Sequence, residues 1–320
     1  MKFAFIIDPI AKLDPGHDTS VALMEAALAK GHEVWITEID RLSIIEGKAW
    51  ATLELVKLEP VKLIDGLWVA AANWYEVQET ILQPLEEMDA VFMRVDPPVN
   101  VSYLYATYIL DLIDPKKTLV INSPAGLRSA NEKVYALQFQ SVIPETIVSH
   151  DKSVIRKFVE AREAAVLKPL GGKGGEGILF LQKGDRNFNS LIEISTKQAE
   201  PVMVQTYLPA AKQGDKRVIL LNGEPIGAVN RIPTGAEFRG NMAVGGRVEA
   251  TPISDRDREI SAKLAPKLRA DGLYFVGIDV IGGYLTEVNV TSPTGIREID
   301  LLNGINLSKE VIEWLEKQQQ

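Results

Sequence analysis

The chain has 320 residues, a net charge of −8, 46% hydrophobic residues and 24% charged ones; this suits two or three domains with a large core and excludes disorder. The acidic balance, with a pI near 5.2, argues against a general nucleic-acid binder. There is no cysteine, and the three histidines (His17, His32, His150) are scattered, which excludes disulfides, a thiolate nucleophile and a zinc spacing. The opening MKFAFIID is only a strand long and stops at Asp8, so it is not read as a signal peptide, and no apolar run reaches membrane-spanning length. A cytoplasmic protein with no membrane partner is expected.

KFAFIID predicts a buried first strand. After the loop PIAKLDPGHD, the stretch TSVALMEAALAKG predicts a helix capped by Asp18 or Thr19 and stopped by Gly31. HEVWITEI predicts a second strand, and this β-loop-α-β opening implies a doubly wound α/β sheet. The first loop lacks GxGxxG, which disfavours dinucleotide binding there. Residues 50–58 and 67–71 predict strands that form a hairpin on the sheet. DAVFMRV predicts a buried strand stopped by Pro97 and Pro98. Strand ends of open α/β sheets border ligand crevices, which makes Arg94 and Asp96 candidates for a site; a structural Arg–Asp pair explains them equally well. VSYLYATYILDLID predicts a helix and TLVINSP a strand, with a domain boundary at Ser123-Pro124.

Beyond that boundary the pattern becomes a new αβ unit, with Lys133 in a helix after an Asn131 cap. AAVLKPL predicts a strand ending near Lys168. The glycine-rich GGKGGEG that follows supplies backbone N–H groups of free geometry, as phosphate-cradling loops do. Gly172, Gly174 and Gly177 spell GxGxxG, but the next stretch, ILFLQ, is a strand, so the Rossmann context fails. A hairpin turning on Asn222-Gly223 carries Arg217 and Arg231 near its far ends. Residues 233–247, with a central Arg239, are long, aperiodic and rich in glycine, as functional lids are. A helix ending at Gly272 and a terminal helix from Asn306 complete the chain.

The stretch FVGIDVIGGYLTEVNVTSPTGIRE predicts two strands around Gly282-Gly283. Val276, Ile278, Val280, Val288 and Val290 alternate as its apolar face; Asp279, Glu287 and Asn289 fall at the other positions. Carboxylates crowded on one face require a cation, and three hard oxygen donors favour Mg²⁺ or Mn²⁺ over zinc. A two-residue turn alone would pair Asp279 with Thr286 and turn Glu287 to the opposite face. Gathering the three donors therefore requires an odd loop, for which three residues with a left-handed glycine would serve. A solvated acidic hairpin is the plainer alternative; Arg297, just beyond the acidic face, favours a phosphate and metal site.

The segments MRVDPP with YATYIL, NEK, LKPLGGKGG, YLPAAKQGDKRV, RIPTGAEFRGNMAVGGR and GIDVIGGYLTEVNVTSPTGIREI stand in order along nearly the whole chain. Together they resemble the bacterial-type glutathione synthetases of the ATP-grasp superfamily. The resemblance implies a doubly wound N-terminal α/β domain (1–124), a small αβ lid domain with the glycine loop (125–203) and a larger antiparallel α+β domain (204–320) with a substrate lid at 233–247. It implies ATP-dependent ligation of γ-glutamylcysteine to glycine through an acyl phosphate, with ATP and Mg²⁺ or Mn²⁺, and a homo-oligomer, tetrameric by family tendency. Carried over residue by residue, Lys133, Lys168, Gly172, Gly174, Gly175, Gln205, Tyr207, Leu208 and Asp215 would bind ATP. Asp279, Glu287 and Asn289 would hold the metal. Arg94, Asp96 and Arg297 would meet substrate, and Arg217, Arg231 and Arg239 would stabilise the reacting groups. Many relatives carry an acid where this chain has Gly171, which bears on side-chain contacts of the glycine loop but not on its backbone role. Another ATP-grasp carboxylate–amine ligase, of the D-alanine–D-alanine or glutamate-adding type, shares the ATP half of this pattern; the arginine-rich half suits a polyanionic peptide better. A catalytically silent ATP-binding module on the same fold would have lost a metal ligand or the lid, and the sequence keeps both.

Overall fold

The computed structural model describes residues 1–172, 174–197, 200–234 and 246–319. Three sheets follow one another along the chain. The first is built from β1 (Lys2–Ile6), β2 (Glu33–Thr37), β3 (Leu42–Ile45), β4 (Lys48–Leu58), β7 (Tyr75–Pro84), β8 (Ala90–Met93) and β9 (Leu119–Ile121), with a separate small hairpin of β5 (Lys62–Ile64) and β6 (Leu67–Val69). β2, β1, β8 and β9 pair in parallel in that order. α1 (Thr19–Ala29) starts on Asp18, whose carboxylate accepts from Val21 N at 2.9 Å. α2 (Val101–Leu110) starts on Asn100 and α3 (Pro124–Ser129) on Ser123.

Period two explains why β1 is apolar almost throughout. Phe3 and Phe5 point into one core with α1, and Ala4 and Ile6 into another with Tyr103 and Leu110 of α2; a parallel strand covered on both faces has no polar side. The second core continues through Val276, Ile278, Val280, Val288 and Val290 of the third sheet. The N-terminal sheet and the hairpin with the acidic face therefore share one packed interior.

The second sheet is antiparallel, β10 (Thr146–Ser149), β13 (Val202–Thr206), β11 (Ala164–Pro169) and β12 (Leu179–Gln182) in spatial order, covered by α4 (Lys152–Arg162) and α5 (Phe188–Ser195). It has its own core, in which Phe158, Leu167, Leu181, Ile192 and Val204 meet. The third is antiparallel too, in the order β16 (Arg247–Ala250), β15 (Glu224–Ile232), β14 (Asp215–Leu221), β17 (Phe275–Ile281) and β18 (Tyr284–Asn289). α6 (Asp255–Ala270), α7 (Ile296–Asn303) and α8 (Leu307–Gln318) flank it. No helix among the described residues is long and apolar enough to cross a membrane.

Three local expectations are corrected. The strand at Leu67 pairs with Lys62–Ile64, and the long partner of β4 is β7. β7 is exposed along most of its length, so it lacks the apolar alternation that marks a half-buried strand. Lys133 does not lie in an α-helix: Asn131 accepts from the backbone N–H groups of Lys133 and Val134, and the turn that follows, Val134–Gln138, is 3₁₀. The hairpin at Gly282-Gly283 has a two-residue turn, with φ of 56° and 79°. The odd residue sits instead in a β-bulge at Asp279/Val280, where Thr286 is the extra residue on β18. Asp279 thus faces Glu287, as the shared acidic face requires, by a different device.

Asn122, at the end of β9, is 3% exposed and binds the third sheet. Its amide NH₂ donates to Phe275 O and Val290 O, each at 2.8 Å, and its Oδ1 accepts from Phe275 N at 2.8 Å. It ties β17 to the chain just past β18. Asn122→Ala strands three buried backbone groups, so the expected loss is about 2–4 kcal/mol of unfolding free energy, read by urea denaturation; a loss below ~1 kcal/mol would refute the role.

Candidate active site

All three sheets border one cleft of about 630 Å³. β11 and β13 supply Lys168 and Gln205, the glycine turn supplies Gly172, Gly174 and Gly175, and the third sheet supplies Asp215, Arg217, Arg231, Asp279, Glu287 and Asn289. Asp96 and Pro97 approach from the end of the N-terminal sheet. Gly174, Gly175 and Gly177 all have positive φ, at 60°, 84° and 68°, a run that only glycine adopts at little cost. At Gly177 a Cβ would lie 2.8 Å from the Pro169 ring.

The third sheet assembles its charges through cross-strand register. Asp215 pairs with Arg231 across β14 and β15, and Arg217 pairs with Asp279 across β14 and β17. Arg217 grips Asp279 by two bonds, Nε to Oδ1 at 2.6 Å and Nη2 to Oδ2 at 3.2 Å. Arg231 Nη2 lies 2.7 Å from Asp215 Oδ2 and 2.9 Å from Asp279 Oδ1. Burial alone would raise the Asp279 carboxyl, but the two guanidinium groups outweigh it and hold it well below the usual range. Asp215 goes the other way: burial dominates and, with the Asp279 charge nearby, raises it despite Arg231. Arg231, held between two carboxylates, is firmly cationic.

Lys133 reaches across to two bodies of the cleft. Its ammonium donates to Gly172 O at 2.6 Å and pairs with Glu287 Oε1 at 3.0 Å. Lys168 donates to Gln205 Oε1 at 3.1 Å, and Gln205 in turn donates to Thr146. Burial lowers the Lys168 ammonium, opposed by Glu287 and Asp215, so it has an electrostatic deficit that anionic groups would relieve. Glu132 was not singled out from the sequence. Its Oε1 accepts from Val290 N, Thr291 N and Thr291 Oγ1, which fixes the chain just after Asn289. Burial and Glu287 raise its carboxyl. Its only signal in the sequence is its place beside Lys133.

Six carboxylates (Asp96, Glu132, Glu176, Asp215, Asp279, Glu287) and four cations (Lys133, Lys168, Arg217, Arg231) line the described part of the cleft. A polyphosphate entering among these carboxylates requires added cations. The chemistry of the donors fits a hard divalent ion: Asp279 and Glu287 face each other, and Asn289 adjoins Asp279 at 3.4 Å.

Tyr207, Leu208 and Ala211 form one wall of the cleft. Arg94 lines a second cavity, which shares Asp96 and Pro97 with the first. Arg297 is buried in α7 outside the cleft lining, paired with Glu25 at 2.8 Å and facing the Trp68 ring. Arg239 and most of the lid 233–247 lie outside the described residues.

Two family models match: the prokaryotic glutathione synthetase N-terminal domain over residues 1–128, and the prokaryotic glutathione synthetase ATP-grasp domain over 132–304. A glutathione synthetase of Thermosynechococcus vestitus is 69% identical, over 98% of this chain and 99% of its own. One from Nostoc sp. is 67% identical, over 99% of this chain and 98% of its own. Among solved structures, the ATP-grasp ligase PsnB, complexed with a minimal precursor, Mg and ADP, superposes with a TM-score of 0.64 at 18% identity, over 99% of this chain and 98% of its own; that likeness is one of fold. Full-length identity at this level, two matching domain models in order and one cleft shared by three sheets establish that the chain belongs to the prokaryotic glutathione synthetase family, ATP-grasp ligases that form a peptide bond.

Proposed function

We propose that the residues of this cleft divide the work of joining γ-glutamylcysteine to glycine, with ATP converted to ADP and phosphate. The observation that carries the division is the convergence, in one cleft, of a glycine turn, two buried lysines, a hard-oxygen donor pair and two buried arginines. Lys133, Lys168 and the N–H groups around Gly172, Gly174 and Gly175 bind the phosphates; Gln205, Tyr207 and Leu208 face the base, and Asp215 the ribose side. Asp279 and Glu287 hold Mg²⁺ or Mn²⁺, with Asn289 turning its Oδ1 to the ion in place of the amide NH₂ it now presents to Gly277 O. When bound, the metal neutralises charge on the transferring phosphoryl group.

A carboxylate is a poor electrophile near neutral pH, so the cysteinyl carboxylate first takes the γ-phosphoryl group. Glycine's amine then displaces phosphate. Arg217 and Arg231 are fixed by carboxylates before substrate arrives, so they can stabilise the developing oxyanion without reorganising. Arg239 and the lid 233–247 complete this set and exclude water from the acyl phosphate. Arg94 and Asp96 meet the peptide substrate; Arg297, in its pair with Glu25, holds the wall behind it. The three sheets correspond to working bodies at 1–124, 125–203 and 204–320. Cytoplasmic action and a homo-oligomeric, tetrameric assembly belong to the same proposal.

The test is ADP release by the purified protein with ATP and Mg²⁺, adding γ-glutamylcysteine and glycine singly and together. Sustained release is expected only with both. Release with D-alanine or glutamate as acceptor in place of glycine would reject this assignment of substrates.

A further inference from the structure

Thr146, Gln205, Val166 and Lys168 share one face of the second sheet. Thr146 pairs with Gln205 across β10 and β13, and Gln205 pairs with Val166 across β13 and β11. Directly opposed residues point the same way, and Lys168 follows Val166 by two positions, which returns it to that face. The other face carries Ile147, Leu167 and Val204 into the core of this sheet. Val166, Lys168 and Gln205 line the reaction cleft, whereas Thr146 stands outside its lining.

The polarity of the hydrogen bonds along this face is fixed from its far end. The Thr146 hydroxyl donates to Pro144 O at 2.8 Å. A hydroxyl has one proton and a carbonyl oxygen can only accept, so Thr146 offers Gln205 lone pairs alone. The Gln205 amide therefore turns its NH₂ to Thr146 Oγ1, at 3.0 Å, and its Oε1 to the Lys168 ammonium, at 3.1 Å. Lys168 is 9% exposed, and this oxygen holds its ammonium. A reversed amide would set NH₂ against that ammonium, two donors face to face, with a buried charge left without its acceptor.

We propose that Thr146 is a positioning residue for nucleotide binding: through the Gln205 amide it fixes where the Lys168 ammonium stands, and so how that ammonium meets the phosphates of ATP. The inference rests on the reading of Lys168 as a phosphate-binding group and adds to it a residue outside the cleft. An ammonium has three donors. Spending one on a fixed amide oxygen directs the others, and a chain of bonds anchored on a backbone carbonyl needs no reorganisation when the phosphates arrive.

Thr146→Val keeps the shape and the strand preference of the side chain and removes only the hydroxyl. Its melting temperature should stay near that of the wild type, while Kd for ATP with Mg²⁺, read by calorimetry, rises about tenfold. KM for γ-glutamylcysteine and for glycine should not move. Thr146→Ser restores the hydroxyl and should restore ATP affinity. The Gln205→Glu background isolates the amide: both oxygens of a carboxylate accept, so Lys168 meets an oxygen whichever way the group turns, and adding Thr146→Val there should weaken ATP no further. Equal weakening by Thr146→Val in both backgrounds would show that amide orientation does not carry the effect, and would overturn the proposal. Wild-type ATP affinity in Thr146→Val, beside lost affinity in Lys168→Met, would overturn it as well and leave the reading of Lys168 intact. Unchanged ATP affinity in Lys168→Met would overturn that reading and this inference together.

Discussion

Glu287→Ala is expected to lower kcat/KM on the order of 10³-fold, the size of effect seen when one fixed electrostatic partner of a transition state is removed. The fold should tolerate the change. Glu287 is repelled by Glu132, whose carboxyl it helps to raise, so its removal relieves one conflict. It costs Lys133 an ion pair, but that ammonium keeps its 2.6 Å bond to Gly172 O. The variant should therefore melt close to wild type and lose Mn²⁺ affinity, as read by titration with the paramagnetic ion, while still binding ATP weakly through Lys133 and Lys168. Activity within tenfold of wild type, with Mn²⁺ affinity unchanged, would remove Glu287 from the metal site. Lost activity accompanied by a fall of many degrees in melting temperature would make its role structural.

Period two in the sequence was sufficient to place Asp279, Glu287 and Asn289 on one face, because Val276, Ile278, Val280 and Val288 had to enter the core. The device that satisfied parity was not legible. A bulge at Thr286 and a three-residue loop move the face by the same amount, and the choice depends on cross-strand bonds such as that from Thr286 Oγ1 to Asp279 O at 3.2 Å. The Asn222-Gly223 turn was legible because both residues adopt positive φ, at 51° and 82°, which few residue types accept. β7 was missed because its side chains face water, so hydrophobic patterning carries no information there. Arg94 and Asp96 could be named from the rule that strand ends border crevices. The second cavity could not, since it combines residues 8, 18, 94 and 103, which only the parallel strand order brings together. Glu132 shows the same limit. Its function is to bind a strand end 158 and 159 positions away, and nothing local to Asn131-Glu132-Lys133 encodes that.

The buried charge cluster leads to the second large effect, this time on stability and with a defined dependence on pH. Arg231 is 3% exposed and neutralises Asp215 and Asp279 together. Arg231→Met keeps much of the side-chain volume and leaves two buried carboxylates to share Arg217. Removing one partner of a buried ion pair costs about 3–5 kcal/mol, and that loss is expected near pH 8. In the wild type, Asp279 has a folded pKa depressed below its unfolded value, so it contributes stability that is present above the unfolded pKa and lost as pH falls through the folded one. Asp215 has a raised folded pKa, so its ionised form already opposes folding, and loss of Arg231 raises it further. The variant can escape its penalty only by protonating that carboxyl. Its deficit relative to wild type should therefore shrink as pH is lowered from 8 toward 5, in urea denaturation curves taken across that range. The double variant Asp215→Asn/Arg231→Met removes the group that must protonate, and its deficit should be smaller at pH 8 and nearly flat with pH. A deficit of equal size at both ends of the range in the single variant would mean that lost packing, rather than an uncompensated carboxylate, carries the cost. The arginines argued to be fixed before substrate arrives would then have to derive that fixity from something other than this cluster.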